Sequence, residues 1–418
     1  MRGRKIYLFS ALSLFVTSSA FAQYYKTLPK GVRLGVYRNV KTTEIDSTFN
    51  HTDNASPLSF EVNANIDTLT SLENETVSTV LEILKPYPKA YEALNLGTYR
   101  VDASAEVEVD GYGFAYGITN KVTAYMALPI YKADVRMKYN RVEGNNYKQV
   151  AEILQQYTND DYAQNLGNNI DQFANELDVD SSFIQNLVVN NFGYDEVGNW
   201  HGQGLGDLEM GVMYNFLTER RYGLLLTLGG VAPTGRIDDP DIIQDIGFGD
   251  GQWDAFTEFG GSYLLNNNLV INSFARYTHQ FSSEKNLRVP YSKDLDFGDQ
   301  KATFEEKLGN KTLWHLSADT IFNDWFSINT AYEYSHTDKA QYKALDNSID
   351  TNATDYLAYN TESVEHNLRV TGELSSVTPF MKKNFILPGA VKFIYQHMLE
   401  GRNTPKVDRY EIEFRMYF

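Results

Sequence analysis

Residues 409–418 read RYEIEFRMYF. In this stretch, large apolar side chains alternate with charged or polar ones without interruption. The apolar positions are Tyr410, Ile412, Phe414, Met416 and Phe418, and the positions between them are Arg409, Glu411, Glu413, Arg415 and Tyr417. Because successive side chains of a strand point to opposite faces, the stretch predicts a strand with one apolar face and one ion-paired face. A transmembrane barrel places such faces against lipid and against its lumen.

The same stretch argues against a soluble sheet. A soluble edge strand with five large apolar side chains on one face would pair with other chains and aggregate. The chain is polar on average, yet it contains 29 Tyr, 24 Phe and 4 Trp. Membrane barrels need both features, since polar residues fill the lumen and aromatic residues ring the interfaces. Composition alone would also suit a secreted β-sandwich, so the strand pattern decides for an all-β, antiparallel, up-and-down transmembrane barrel.

The N-terminal residues have the three parts of a secretory signal peptide. Basic residues within positions 1–5 precede an apolar run over 6–16, and the pattern Ala20-Phe21-Ala22 follows. The run is too short to span a bilayer, and the last pattern is typical of a cleavage site. We therefore expect residues 1–22 to be removed and residues 23–418 to form a barrel in the outer membrane of a Gram-negative bacterium.

Charge and cysteine content exclude several classes of function. The formal net charge is −17, and the signal peptide contains three of the basic residues, so the mature chain is more acidic still. Such a charge disfavours nucleic acid as a partner, because the two would repel each other. The chain has no cysteine, which excludes disulfides and thiolate metal sites.

Strand-like alternation recurs along the mature chain and indicates twelve strands. We expect them at about 31–42, 98–118, 121–141, 205–217, 221–236, 252–264, 268–284, 299–321, 325–341, 357–375, 388–401 and 406–418. The tight connections are Thr119-Asn120-Lys121, Thr218-Glu219-Arg220, Asn266-Asn267-Asn268 and Asn323-Asp324, and all of them fall at one end. Short periplasmic turns and long external loops are typical of outer-membrane barrels. Residues 43–64 could add a hairpin, which leaves fourteen strands as the alternative.

One predicted strand changes its alternation. Its apolar side chains occupy odd positions from Val101 to Val109 but even positions from Tyr112 to Ile118. A β-bulge near Asp110-Gly111 would explain the change, because a bulge adds one residue to the strand.

Charged side chains opposite the apolar faces are expected to line the lumen. They are Asp102, Glu106, Glu108, Asp207, Glu209, Asp254, Glu258, Arg276, Asp319, Glu333, Arg369, Glu373, Lys392, Arg409, Glu411, Glu413 and Arg415. One interpretation is an ion-paired interior that stabilises the barrel. The other is an aqueous path with a preference for cations, since acids outnumber bases along the wall. Twelve strands enclose less space than the 16 to 18 of open porins, which favours gated passage.

Two long connections, about 65–97 and 142–204, show helical spacing instead of strand alternation. Apolar residues recur there on single faces: Val77, Leu81, Leu84, Ile153, Leu154, Phe173 and Phe183. Apolar faces in external loops must be buried against something. These helices either pack on one another as a cap over the barrel mouth or present an access site for a hydrophobic substrate.

Several short motifs between residues 98 and 265 resemble a known family. They are Gly117-Ile118-Thr119-Asn120-Lys121-Val122, Leu128-Pro129, Gly204-Leu205-Gly206-Asp207-Leu208 and Pro233-Thr234-Gly235. Together they resemble the outer-membrane barrels of the meta-pathway of phenol degradation, which are transporter-like relatives of fatty-acid and aromatic-hydrocarbon channels. The terminal Phe418, with apolar residues at alternate positions before it, resembles the signal by which the barrel-assembly machinery recognises its substrates.

Sites for catalysis are not visible in the sequence. The seven histidines are scattered, without the paired spacing of a zinc site, and no nucleophile-elbow motif occurs. We expect no enzyme, no cofactor and no metal. The expected function is passive uptake of small hydrophobic molecules, with outer-membrane lipid, lipopolysaccharide, the assembly machinery and a small solute as partners. The alternative is a surface recognition protein that uses the barrel as an anchor.

Overall fold

The computed structural model describes residues 23–70, 75–169, 185, 187–290, 298–346, 349 and 352–418. The expected signal peptide lies outside the described residues, so its removal stays a prediction. Two of the loop residues singled out above, Phe173 and Phe183, also lie outside them.

Strands dominate the described chain. They are β1 (Arg33–Thr42), β2 (Ser47–Phe49), β3 (Ala55–Pro57), β4 (Ser59–Asn65), β5 (Asn95–Thr119), β6 (Val122–Glu143), β7 (Trp200–Leu205), β8 (Leu208–Thr218), β9 (Tyr222–Ala232), β10 (Asp254–Asn266), β11 (Leu269–Gln280), β12 (Ser283–Arg288), β13 (Lys301–Lys307), β14 (Lys311–Ile321), β15 (Phe326–Thr337), β16 (Gln341–Ala344), β17 (Ser363–Ser375), β18 (Gly389–Arg402), β19 (Thr404–Pro405) and β20 (Arg409–Tyr417). The helices are α1 (Ile66–Thr70), α2 (Glu75–Leu84), α3 (Pro88–Ala93), α4 (Tyr147–Leu154), α5 (Asp161–Asn168), α6 (Asn352–Leu357) and α7 (Val377–Met381), and a π-helical turn covers Leu187–Asn191.

Twelve of these strands close into one antiparallel barrel. Their order is β1, β5, β6, β8, β9, β10, β11, β14, β15, β17, β18 and β20, and β20 pairs with β1 to close the ring. The closing register puts Leu34 opposite Tyr417 and Thr42 opposite Arg409. The prediction of twelve strands is therefore confirmed. The alternative of fourteen is wrong, because residues 43–64 form β2, β3 and β4, which are not strands of the ring.

The connections differ between the two ends of the barrel. Those at the end of Gln23 and Phe418 are residues 120–121, 219–221, 267–268, 322–325 and 376–388. The long connections, with most of the helices and the short strands, lie at the other end, as predicted. We call the first end periplasmic and the second external. The predicted strand at 299–321 is divided, because β13 pairs with β12 and β16 in a separate external sheet while β14 remains in the ring.

The outward face of the ring is an apolar belt. On the last strand, Tyr410, Ile412, Phe414, Met416 and Phe418 are exposed, whereas Arg409, Glu411, Glu413 and Arg415 are buried inside the barrel. Exposed Phe259, Tyr263 and Phe393 continue the belt on other strands. A continuous apolar belt around a closed barrel is stable in lipid and unstable in water, so the barrel spans a membrane.

The predicted bulge at Asp110-Gly111 is wrong. β5 and β6 pair without a register shift between Tyr99 and Gly117. Odd-numbered residues of β5 therefore face inward along this whole stretch, and even-numbered residues face outward.

As a consequence, Asp102, Glu106 and Glu108 lie on the outer face of β5 and not in the lumen. On that face Glu106 pairs with Arg136 at 3.1 Å, and Asp102 accepts a hydrogen bond from Asn140 at 2.8 Å. The reason is that β5 runs beyond the lipid belt, so its outer face passes from apolar to charged without changing sides. Its inner face stays apolar because external loops cover it with side chains such as Ile45, Phe248 and Val407.

Helices α1 to α5 form an external cap with its own hydrophobic core. This core joins buried side chains of the helices, including Leu69, Ala90 and Val150, to Tyr99 and Val101 of β5. The cap is therefore packed onto the upper part of β5 and β6. No helix within the described residues is long and apolar enough to cross a membrane.

Candidate functional site: the plugged lumen

A ladder of ion pairs lines the inner wall of the barrel along the closing strand β20 and its neighbours. Glu413 pairs with Arg415 at 2.6 Å, with Arg38 at 3.1 Å and with Lys392 at 3.8 Å. Its side chain is fully buried. Glu411 next to it pairs with Arg38 at 3.4 Å and with Arg369 at 3.0 Å. Buried charges are tolerated only when they are paired in this way.

The ladder continues along the neighbouring strands. Arg369 also pairs with Glu333 at 3.5 Å, and Glu333 pairs with the His315 ring at 3.0 Å. Towards the periplasmic end, Lys392 pairs with Glu373 at 3.2 Å, and Asp319 accepts a hydrogen bond from Asn272. Arg409 is buried on the inner face of β20. Sequence reasoning did not include Arg38, because it shares its face of β1 with the apolar side chains of Leu34, Val36 and Val40.

A second cluster of charges lies on the opposite wall around Arg276. The guanidinium pairs with Glu209 at 3.0 Å and with Glu258 at 3.9 Å. It also stacks on the Phe256 ring, with its central carbon 3.5 Å from the ring centroid. Tyr125 donates a hydrogen bond to Glu209 at 2.9 Å. The side chain of Arg276 is therefore held across the middle of the lumen.

Above Arg276 the lumen contains a cavity of about 120 Å³. Apolar side chains of Ala127, Pro129, Tyr131, Val231 and Leu313 form part of its wall. The charged residues around it are Asp207, Glu209, Asp250, Asp254, Arg276 and Lys311. The cavity is close in size to an apolar cavity of about 150 Å³ that binds benzene in another protein, so it can admit a small molecule.

The periplasmic end of the lumen is closed by the N-terminal segment, residues 23–31, which we call the plug. The Tyr24 ring is buried and stacks on Phe274, with centroids 4.9 Å apart and planes 11° apart. The Tyr24 hydroxyl donates a hydrogen bond to Glu258, and its amide donates one to Asn272 at 3.1 Å. The plug is thereby joined to the Arg276 cluster that lies below the cavity.

Two inward-facing glycines make room for the plug. At Gly223, an added Cβ would lie 2.4 Å from the Tyr25 ring. At Gly117, it would lie 2.1 Å from the carbonyl oxygen of Pro29. The Tyr25 carbonyl also accepts a hydrogen bond from Asn215 at 2.8 Å. Sequence reasoning missed the plug. The available signal was the pair Tyr24-Tyr25 before the first strand, together with Gly117 and Gly223 at the periplasmic ends of β5 and β9.

Two of the sequence motifs meet at the external end of β8 and β9. The Asp207 carboxylate accepts hydrogen bonds from the amides of Gly235 at 2.8 Å and of Asp250 at 3.2 Å. The Thr234 hydroxyl accepts one from Leu208 at 3.0 Å and donates one to the Gly206 carbonyl at 2.9 Å. These contacts hold the connection between β9 and β10 against the cavity wall. The motifs therefore have a structural part in shaping the cavity.

The described loop residues that sequence reasoning proposed as an access site lie in the cap core. Leu81, Leu84 and Leu154 are buried there, and Ile153 packs against them. Val77 belongs to α2. Leu81, Leu84, Ile153 and Leu154 do not line the lumen cavity. Their arrangement favours the interpretation in which the helices pack on one another as a cap.

External loops are joined by charged contacts around Arg288. Its guanidinium pairs with Asp241 at 2.5 Å and lies over the Tyr194 ring, 4.1 Å from the centroid. Lys301 pairs with the same carboxylate at 2.7 Å. Burial alone would raise the pKa of Asp241, but the hydrogen bonds from Lys301 and Arg288 outweigh it and lower that pKa. We call this group the loop latch.

Within the described residues, no set of three or more His, Cys, Asp or Glu side chains is arranged to bind a metal ion.

The fold and the lumen together define a transmembrane barrel of twelve strands, plugged from its periplasmic end and hollow below its external cap. A solved outer-membrane channel from Pseudomonas putida F1 has a similar fold, with a TM-score of 0.52 and 13% sequence identity. The alignment covers 94% of this chain and 98% of that chain. The resemblance to outer-membrane channels is therefore confirmed at the level of the fold.

Two toluene transporters show weaker similarity. That of Ralstonia pickettii has a TM-score of 0.35 and 8% identity over 94% of this chain and 90% of that chain. That of Pseudomonas putida has a TM-score of 0.32 and 9% identity over 93% and 90%. All three structures are transport proteins rather than enzymes by their descriptions. No family model and no curated protein matches the sequence.

Proposed function

We propose that this chain is an outer-membrane channel for the passive uptake of small hydrophobic molecules in a Gram-negative bacterium. The observation that carries the proposal is the cavity of about 120 Å³ in the lumen above the plug. A cavity inside a transmembrane barrel can serve as an intermediate binding site for a solute that crosses the membrane. Its partly apolar wall suits a small solute with a large apolar surface.

Free diffusion of ions fits the lumen less well. The plug closes the periplasmic end, and buried ion pairs such as Arg276 with Glu209 occupy the middle. The carboxylates of the ladder and of the Arg276 cluster are paired with bases, so acids outnumber bases only around the cavity, at Asp207, Asp250 and Asp254. Passage therefore requires movement of the plug, and we propose that the solute displaces it.

The external cap acts as a lid in this proposal. Its helices bury their apolar faces in a common core, and the loop latch joins the neighbouring connections. A packed cap leaves little apolar surface of the described helices for binding other cells. The alternative function, surface recognition with the barrel as an anchor, is favoured by no contact in the described residues.

The proposed partners are the solute, the surrounding lipid and the assembly machinery. The belt residues contact outer-membrane lipid, and the charged outer face of β5 lies at the level of the lipopolysaccharide headgroups. Arg136 and Lys132 on β6 face that level, where phosphate groups are available for ion pairs. The alternating residues that end at Phe418 are exposed to the outside, as recognition by an assembly factor requires.

The function can be tested by measuring uptake of the fluorescent hydrophobic probe N-phenylnaphthylamine. Cells with an intact lipopolysaccharide leaflet would express the wild-type protein, Ala127→Trp or Ala124→Trp. Ala127 lines the cavity, whereas Ala124 lies on the outer face of the same strand and is the matched control. Heat-modifiable migration in gels would check that each variant folds.

We expect wild type and Ala124→Trp to accelerate probe uptake, and Ala127→Trp to reduce it to the level of cells without the protein. Equal uptake by all three variants would contradict transport through the cavity. Equal uptake with and without the wild-type protein would contradict the function itself and favour the anchor alternative.

A further inference from the structure

The connection between β17 and β18, residues 376–388, is unlike the other connections at the periplasmic end. It contains helix α7 and a cluster of large apolar side chains that are exposed. Met381 is 67% exposed, Ile386 is 82% exposed and Leu387 is 51% exposed. Phe380 and Phe385 of the same connection are also exposed. A contiguous exposed apolar patch on a folded protein marks a surface that contacts lipid or another molecule.

This connection has a defined shape. The Ser376 amide donates to the Gly389 carbonyl at 2.8 Å, and the Ser376 hydroxyl donates to the Leu387 carbonyl at 2.6 Å. After α7, Lys383 adopts a left-handed conformation with φ of 61°. That conformation turns the chain back and separates the apolar side chains before it from those after it. The exposure is therefore a property of a folded turn.

The turn is fixed to the neighbouring periplasmic connection. Phe385 contacts Trp325 edge to face, with ring centroids 5.1 Å apart. Lys382 pairs with Asp324 at 2.5 Å. Phe326, the residue after Trp325, begins strand β15. The two connections thus form one unit at the rim of the barrel.

The apolar surface of this unit is continuous with the lipid belt. Phe326 lies on the outer face of β15 and stacks on Phe322, with centroids 5.5 Å apart. Leu374 leads into the turn on β17, Phe393 follows it on β18, and both are exposed on the outer face. The exposed side chains of the turn extend this belt beyond the ends of the strands.

We propose that residues 376–388 form a foot that inserts into the headgroup region of the periplasmic leaflet and binds its phospholipids. The apolar side chains would enter the acyl boundary, where aromatic and aliphatic residues are stable. Lys383 lies between them and would contact lipid phosphates, so the surface fits an anionic phospholipid membrane. This inference is independent of transport, because it concerns how one rim of the barrel is held in the bilayer.

The absence of cysteine in the chain allows a direct test. Ile386→Cys in the full mature protein would be labelled with an environment-sensitive nitrobenzoxadiazole dye after refolding into phosphatidylcholine vesicles with or without phosphatidylglycerol. Asn267→Cys is the matched control, because Asn267 is exposed in a short turn at the same end of the barrel. Met381→Cys provides a second position in the foot.

We expect dyes at Ile386 and Met381 to emit at shorter wavelength than the dye at Asn267. They should be quenched by lipids that carry a nitroxide near the headgroup and protected from aqueous iodide. Equal iodide quenching at Ile386 and Asn267 would overturn the proposal and leave the patch as a docking site for a periplasmic protein.

The contact between the foot and anionic lipid headgroups is tested by a separate measurement. Lys383→Gln in the labelled protein should reduce the extra wavelength shift caused by phosphatidylglycerol. A shift that is the same in both vesicle types, before and after this change, would overturn the preference for anionic phospholipid. Neither readout depends on solute uptake, so the proposed lipid contact and the proposed transport function can be refuted independently.

Discussion

Replacement of Tyr24 by alanine should release the plug from the lumen. Tyr24 is 4% exposed, its ring stacks on Phe274, and its hydroxyl donates a hydrogen bond to Glu258. The variant removes the ring and the hydroxyl together but leaves the backbone of the plug unchanged.

The expected magnitude follows from these contacts. Truncation of a buried aromatic side chain to alanine costs about 3 to 5 kcal/mol. Since each 1.4 kcal/mol is a factor of ten, about 3 kcal/mol shifts the balance between docked and undocked plug by roughly 150-fold. Tyr24→Phe keeps the ring and removes only the hydrogen bond to a charged group, which contributes about 1.5 to 3 kcal/mol. Its effect should lie between wild type and Tyr24→Ala.

The measurement is single-channel conductance of the refolded mature protein in a planar bilayer. We expect brief and rare openings in wild type, longer and more frequent openings in Tyr24→Phe, and the most open time in Tyr24→Ala. Deletion of residues 146–192, which removes much of the cap, should increase the conductance of Tyr24→Ala more than that of wild type. The reason is that wild type is still closed at the other end.

A Tyr24→Ala variant that conducts as wild type does, while hydrogen exchange shows residues 23–31 to be undocked, would refute closure by the plug. That result would mean that the ion pairs of the lumen, and not the plug, close the barrel. Unchanged conductance with unchanged exchange would show instead that the Tyr24 contacts contribute much less to docking than their burial indicates.

Gly223→Val should displace the Tyr25 ring, since a Cβ at Gly223 would lie 2.4 Å from it, and faster hydrogen exchange of the plug would show this; unchanged exchange would contradict the close approach. Glu413→Gln should lower the stability to urea by about 3 to 5 kcal/mol, because it leaves paired buried cations without their shared carboxylate; a midpoint equal to that of wild type would contradict the importance of the ladder. Asp241→Asn should speed exchange of the external loops at neutral pH. The Asp241 pKa is lowered in the fold, so the latch is fully present above the ordinary pKa of about 3.9 and is lost as the pH falls through the folded value; loops that exchange equally at pH 7 and below pH 3, after correction for intrinsic rates, would contradict this.

The alternation of single strands predicted much of the barrel correctly. On β20 and β15, one face is apolar and the other polar over the whole strand, and the structure keeps those faces. On β5 the same reasoning failed, because the apolar side changes where the strand leaves the membrane. From Tyr112 to Ile118 the apolar face is the lipid face, whereas from Val101 to Val109 it is the inner face under the loops. Alternation identifies two faces, but the medium outside each face decides which one is apolar.

The sequence by itself determined the class of fold and which ends of the strands are periplasmic or external. Period-two alternation, the distribution of short turns and the aromatic content are local properties, so they can be recognised without knowing which strands pair. The plug, the cavity and the ion ladder were decided only by the tertiary structure. Tyr24 and Glu258 are far apart in the chain, and their contact exists only because the ring closes between β20 and β1. Ring closure brings distant residues into one lumen, and for that reason the site could not be derived from local patterns.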